Sequence, residues 1–264
     1  MKKYLTIILL NIQSSMEYKF NFITTLICSL IPFGINSIIW YALGNYSAEA
    51  FGYTLKEMVA YYFCIMITAL LVNSNVVHAV AGDIQSGGLN KHLLLPYKYT
   101  IYQLCNDLPM RIVYIIFGII PITLLSVILK DFMEFNFSPV NLILYIVMIV
   151  IAYGVNFYLY YFIGLVSFYF TRIGSFMGVY GVVVSLLSGR LFPLDIIPGI
   201  IRKILLLLPF QFTGYVPVTV LQGRYTGQEF IIVLLSGIFW IVFFRFLCKL
   251  MLKKGLKNYT SFGG

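Results

Sequence analysis

Nine carboxylates, two histidines and four cysteines are the side chains from which acid–base, nucleophilic or metal chemistry would have to be built in this chain. None stands in a catalytic pattern. There is no GxxxxGK(S/T) loop to cradle a nucleotide's phosphates, no HExxH pair to hold zinc and no GxSxG elbow to present a nucleophile. Cys28, Cys64, Cys105 and Cys248 lack CxxC spacing and read as small apolar fillers, so no metal site is expected. His78 reads as a capping or interfacial residue, and His92, beside Lys91, as solvated. The carboxylates fall at the ends of apolar runs or in polar breaks, which leaves no members for a proton relay inside a membrane. The polar groups left within apolar runs are amides and hydroxyls: Asn73, Asn75 and Asn156, with Ser185 and Ser188. Such groups form interhelical hydrogen bonds or line a conduit.

The elements that must position these residues are long apolar helices. A crossing of roughly 30 Å of hydrocarbon takes about 20 apolar residues. Spans are expected over 22–43, 58–81, 109–129, 140–168, 174–189 and 230–250, with Trp40 and Tyr41 as interfacial anchors of the first. Between Val140 and Gly189 the one charge is Arg172, so a turn there divides two spans and spares the cost of an arginine at mid-bilayer. The segment 190–229 is apolar yet broken by Pro193, Pro198, Pro209 and Pro217, and it predicts a re-entrant helical hairpin entering from the outer face. Residues 1–20 predict a helix lying in the inner interface. With this topology twelve Lys and Arg face three carboxylates (Glu17, Asp83, Asp107) on one side, while the other side balances six against six. The basic side is the cytosol, and both termini are expected there.

Hydrophobic residues make up 61% of the chain and charged residues 10%, against about 25% charged in soluble domains. One membrane domain over 1–264 is therefore expected, with no room for a separate catalytic domain. The basic residues sit at span ends rather than in a patch, which argues against a nucleic-acid partner. The class is an all-α membrane protein: six transmembrane helices, an N-terminal interfacial helix and an outer re-entrant hairpin between spans five and six.

The most specific segment is the inner loop 82–98. Gly87-Gly88 breaks the chain, Lys91 to Leu95 can form about one helical turn with an apolar ridge, and Pro96 stops it. A short helix exposing leucines to the cytosol wants a partner groove, or else lies on the membrane as a connector. Three pieces of the chain carry a resemblance. They are the loop Asp83-Ile84-x-x-Gly87-x-Leu89 running into Leu93-Leu94-Leu95-x-Pro, the stretch Ser188-Gly189-Arg190-Leu191-Phe192-Pro193-Leu194 followed by Pro198 and Leu208-Pro209-Phe210, and the ending Lys254-Gly255-Leu256-Lys257-Asn258-Tyr259 with Gly263-Gly264. Over essentially its full length the chain resembles permease subunits of type-2 ATP-binding-cassette exporters, in a bacterial branch of uncharacterised components. Lys91-His92 departs from the less charged pair expected there.

The resemblance implies a bacterial inner-membrane permease without ATPase activity of its own, partnered by two copies of a soluble ABC ATPase and by a second permease, identical or homologous. ATP and Mg would be bound by the ATPase, and this chain would bind no cofactor. Asp83, Ile84, Gly87, Leu89, Leu93, Leu94 and Pro96 would couple to the ATPase. Arg190, Pro193, Pro198, Pro209 and Phe210 would gate the outer mouth, and Asn73, Asn75, Ser185 and Ser188 would line the path. An amphipathic or apolar cargo (peptide, lipid-linked molecule or drug) would leave by alternating access. The other readings are an ATP-independent carrier or channel and a structural membrane scaffold.

Overall fold

In the computed structural model, which describes residues 2–17, 19–44, 52–135, 137–170, 173–225, 227–257 and 259, those residues form helices and no strand. In chain order the α-helices are α1 (Lys2–Glu17), α2 (Lys19–Leu43), α3 (Leu55–Val72), α4 (Val76–Gln85), α5 (Leu89–Leu93) and α6 (Tyr99–Ile128). They continue with α7 (Pro139–Leu165), α8 (Ile173–Leu187), α9 (Gly199–Leu207), α10 (Tyr215–Leu221) and α11 (Gly227–Lys257). Short 3₁₀ turns lie at Lys130–Phe132, Val166–Phe168, Leu194–Ile196 and Pro209–Thr213. Arg172, Glu49, Asn258 and Gly263-Gly264 fall outside the described residues.

Local chemistry sets where helices begin. At α3 the Thr54 hydroxyl accepts from Glu57 N (3.1 Å) while Glu57 Oε2 accepts from Thr54 N (2.9 Å), a reciprocal capping box. At α7 the Ser138 hydroxyl accepts from Val140 N, and Pro139, with no N–H to satisfy, takes the first helical position. Five stretches are long and apolar enough to cross a membrane: Ile23–Leu43, Leu55–Gln85, Tyr99–Ile128, Pro139–Phe168 and Gly227–Lys257. The apolar part of α8, Phe176–Leu187, is shorter. The chain is an all-α membrane protein, as its sequence implies.

Helix α7 is the axis of the packing: α11, α4, α10 and α3 all lie against it. Close approach is bought with glycine. A β-carbon on Gly237 of α11 would sit 2.4 Å from Ile151 of α7, and one on Gly164 of α7 would sit 2.9 Å from Val80 of α4. Outward faces stay apolar: Ile27, Ile31, Ile35 and Ile38 on α2 and Ile116, Ile120 and Leu124 on α6 are exposed. In water such faces would be a liability, whereas in lipid they are the solvated surface.

The structure corrects the expected spans in three places. The second is not one helix over 58–81: α3 ends at Val72, Asn73 is extended, and α4 starts at Val76. The third begins at Tyr99 rather than near Pro109, since Pro109 and Pro121 are accommodated inside α6. Trp40 is no interfacial anchor; it is buried and its indole N–H donates to the Tyr62 hydroxyl at 2.7 Å, while Tyr41 is exposed. The segment 190–225 contains two short helices joined by a 3₁₀ turn. Every residue of α10 is buried, while α9 buries Leu205 and exposes Ile200, Ile201, Ile204 and Leu207.

The Gly237 contact gives a direct test. Gly237→Ala forces α7 and α11 apart and should cost about 1–3 kcal/mol, read as a lower unfolding midpoint in detergent. Gly34→Ala, where a β-carbon meets nothing within 4 Å, should leave the midpoint unchanged.

Candidate functional site

One end of the bundle holds the loop singled out above, and the structure divides its residues into anchors and an exposed ridge. Ile84 and Leu89 are buried in one apolar cluster with Val80, Tyr99 and Tyr161. Gly87 turns the chain at φ +77°, a conformation that favours glycine. Asp83, at the end of α4, accepts hydrogen bonds from the Tyr99 hydroxyl (2.8 Å) and Gln103 Nε2 (2.9 Å) of α6. His92 is not solvated as its setting beside Lys91 implied. It is 5% exposed, with Nε2 3.4 Å from Asp83 Oδ2 and Nδ1 2.8 Å from the Tyr97 hydroxyl, under the ring of Tyr102. Leu93, Leu94 and Leu95 point the other way, Leu94 being 86% exposed, and Pro96 is exposed beside them. Helix α1 packs along α6, with Lys3 Nζ donating to the Pro96 carbonyl and Tyr4 receiving a bond from Lys98 N.

Above this end lies the break between α3 and α4. Asn75 N donates to Asp107 Oδ1 at 3.0 Å, and Val76 N to the Ser74 hydroxyl at 3.2 Å. Asp107 also accepts from the Tyr153 hydroxyl (2.9 Å) and pairs with Arg111 one turn along α6 (3.3 Å). Asp107 and Arg111 are both buried, 8% and 6% exposed. The sequence reading, which placed every carboxylate at a run end or in a break, missed this pair. Its signal was the Asp-x-x-x-Arg spacing, which puts both on one helix face. Asn156 bonds the Ala152 carbonyl of its own helix rather than a neighbour.

At the opposite end of α3 the chain after α8 is pinned. Gly189 (φ +79°) passes so close to Tyr215 that a β-carbon would sit 2.6 Å from it. The Gly189 carbonyl accepts from the Tyr61 hydroxyl and the Leu191 carbonyl from the Tyr62 hydroxyl, each at 2.7 Å. Tyr215 N donates to the Ser188 carbonyl at 2.9 Å. These bonds aim Arg190 at Asn73, whose Oδ1 it meets at 2.5 Å. Asn73, Ser185 and Arg190 line one cavity of about 270 Å³ with residues of α2. Ser188 is buried outside that lining, and Asn75 faces Asp107 instead. Pro193 and Pro198 precede the 3₁₀ turn and α9, while Pro209 is buried and Phe210 packs on Tyr180.

The hairpin has a hub that sequence reasoning passed over. Asp195 accepts from the hydroxyls of Tyr53 (2.9 Å) and Tyr215 (2.6 Å) and pairs with Arg202 and with Arg224 (3.7 Å). Arg224 also stands over the Tyr53 ring at 3.6 Å. A lone acid in an apolar, proline-broken segment was the available signal. Among the described residues no three His, Cys, Asp or Glu side chains gather as a metal site would need. A family model described as "ABC-2 family transporter protein" matches residues 46–263. No curated protein matches the chain.

His92 offers a pH test. Burial pulls its pKa below the ordinary 6.5 and outweighs the opposing pull of Asp83, with Lys91 adding to the depression. The other groups facing it are the phenols of Tyr97, Tyr99 and Tyr102. The folded segment thus prefers neutral imidazole, so its stability is full above about pH 6.5 and falls as protonation is forced below it. Amide exchange over 86–98 should quicken, relative to intrinsic rates, between about pH 7.5 and about pH 5.5, and His92→Gln should remove that change. Protection that rises in acid would mean that the Asp83 pair dominates.

Proposed function

The chain belongs to the ABC-2 family of transporter proteins, and from that premise we propose that it is the permease subunit of an ATP-driven exporter, moving an amphipathic or apolar cargo across a bacterial inner membrane. As a member of that family it is the membrane component of an ABC transporter, a multi-pass transport subunit rather than an ATPase, and its partner in kind is an ABC ATPase. Two ATPase copies and a second permease, with ATP and Mg held by the ATPase, complete the proposed assembly. Both termini face the cytosol.

One observation carries the reading: an exposed leucine ridge on a rigidly anchored inner segment. Leu93 to Leu95 present apolar surface on the basic side of the protein, while Asp83, His92 and Leu89 hold the segment against α4 and α6. A docking element must be both apolar and stiff, because a floppy one would absorb displacement instead of passing it on. Asp83 is then a positioning residue, and Leu93, Leu94 and Pro96 are the contact. Displacement reaches α4, a ten-residue lever that ends at the break. Beyond the break, Asn73 meets Arg190 and the hairpin, so the two ends of the bundle are linked through packed elements.

Affinity purification of the tagged chain in mild detergent tests the assembly. A stoichiometric soluble protein with a Walker motif should co-elute, and Leu94→Asp should remove it while leaving the chain inserted. A homo-oligomer without any ATPase would favour a carrier or channel. Topology is checked separately: cysteine at Lys203 should react with an impermeant thiol reagent on intact cells, and cysteine at Lys91 after lysis only. The reverse pattern would invert the assignment.

A further inference from the structure

The cavity between α2, α3 and the end of α8 holds a cation without a counter-ion. Arg190 Nη2 spends both of its hydrogens on neutral acceptors, Asn73 Oδ1 (2.5 Å) and the Thr213 carbonyl (3.1 Å). Its Nε is shielded from solvent and has no acceptor, and Nη1 makes no hydrogen bond to a described residue. The carboxylates Asp83, Asp107 and Asp195 of the described residues stand against His92, Arg111, Arg202 and Arg224, and none pairs with Arg190. A guanidinium has five donors and is always charged, so three donors and one full positive charge stand at this cavity unanswered. The tyrosine bonds that pin residues 189 and 191 hold it there and prevent it from turning out to water.

The surroundings narrow the ligand. Phe33, Ile65 and Met66 give the cavity apolar walls, and Ser29, Asn36 and Ser185 add neutral polar groups at its edge. At about 270 Å³ it has room for a head group and not for a whole amphiphile, whose chains would have to lie outside. Next to the cavity residues of α2 runs the exposed apolar ridge Ile27, Ile31, Ile35 and Ile38, where such chains would be solvated by lipid. A free hydrophilic anion would have no use for that ridge.

We propose that this cavity binds the anionic head group, carboxylate or phosphate, of an amphipathic molecule, with Arg190 as the recognising charge. The site rests on the transport reading for its role: it names the class of cargo as anionic amphiphiles. Binding would supply the counter-charge that Arg190 lacks and would draw on the donors now free, Nε–H and Nη1–H₂. The Nη2 bond to Asn73 would remain, so the bound head group would share its guanidinium with the break between α3 and α4.

The test uses the purified full chain in an uncharged detergent, with dodecyl phosphate, dodecyltrimethylammonium and inorganic phosphate as probes. Trp40 provides the signal, because its indole is bonded to Tyr62 at the cavity wall. Dodecyl phosphate should give a saturable fluorescence change, dodecyltrimethylammonium none, and an excess of inorganic phosphate should not compete. Arg190→Gln should weaken dodecyl phosphate by about tenfold or more. Since Arg190 also braces Asn73, Ser29→Leu serves as a second variant that fills the cavity from α2. It should weaken binding with the unfolding midpoint unchanged. Equal binding of the cationic amphiphile, displacement by inorganic phosphate at equal concentration, or indifference to both variants would each overturn the proposal. Co-elution of an ATPase with the wild-type chain reports on the transport reading independently. An ATPase that co-elutes with a chain lacking charge preference removes this proposal alone, and charge-selective binding without any ATPase upholds the site while removing its transport role.

Discussion

A helix that stops inside a bilayer leaves backbone groups that water cannot satisfy, and the interruption at Asn73-Ser74-Asn75 is the constraint around which this protein is organised. Two amides freed there, and one side chain, find named partners. Asn75 N goes to Asp107, Val76 N to the Ser74 hydroxyl, and the Asn73 side chain to Arg190. Those partners make demands in turn. A carboxylate buried on α6 requires Arg111 and the Tyr153 hydroxyl, and an arginine held near Asn73 requires a chain after α8 pinned by three tyrosines. One local polar requirement thereby ties α3, α4, α6, α7 and the proline-broken hairpin together.

The same interruption separates two mechanical units. Below it, α4 and α5 form a short arm anchored on α6 through Asp83, with leucines at its tip. Above it, α3 buries twelve of its eighteen residues and carries the tyrosines that hold the chain after α8. An unbroken helix would move as a rod, with its inner and outer ends displaced together. A broken one passes a tilt of the arm to the upper half only through the bonds at the break, those of Asn75 with Asp107 and of Asn73 with Arg190.

Much of this was legible in the sequence and some was not, for physical reasons. Apolar runs and the bias of basic residues report the membrane fold directly, because the lipid acts on each residue independently. The loop at Gly87 and the proline-broken hairpin were visible because glycine and proline act on their own backbone. The interruption at 73–75 escaped notice because it contains neither residue. Asn73, Ser74 and Asn75 are weak helix formers, but the carboxylate that completes the break lies 32 positions away, which no local pattern encodes. His92 was misjudged for a similar reason: its neighbour Lys91 points to water, while its own ring is enclosed by Tyr97, Tyr99 and Tyr102 brought round by the turn at Pro96. Arg190 was singled out as a gate residue on resemblance, and its bond to Asn73 could not be read from spacing.

Helix α8 has a consequence for the lipid around the protein. Its fifteen residues rise about 22 Å, well short of the roughly 30 Å of hydrocarbon that a bilayer presents, and Val179, Val182 and Leu186 face outward along it. A bilayer that met α8 directly would have to compress, tilt or draw its head groups inward to meet the helix ends. Ser185, near the end of this helix, borders the Arg190 cavity. A bilayer thinned beside α8 would leave a polar head group at that cavity less oil to cross before it meets protein. Helix length, fixed by the chain, in this way sets the local softness of the surrounding bilayer.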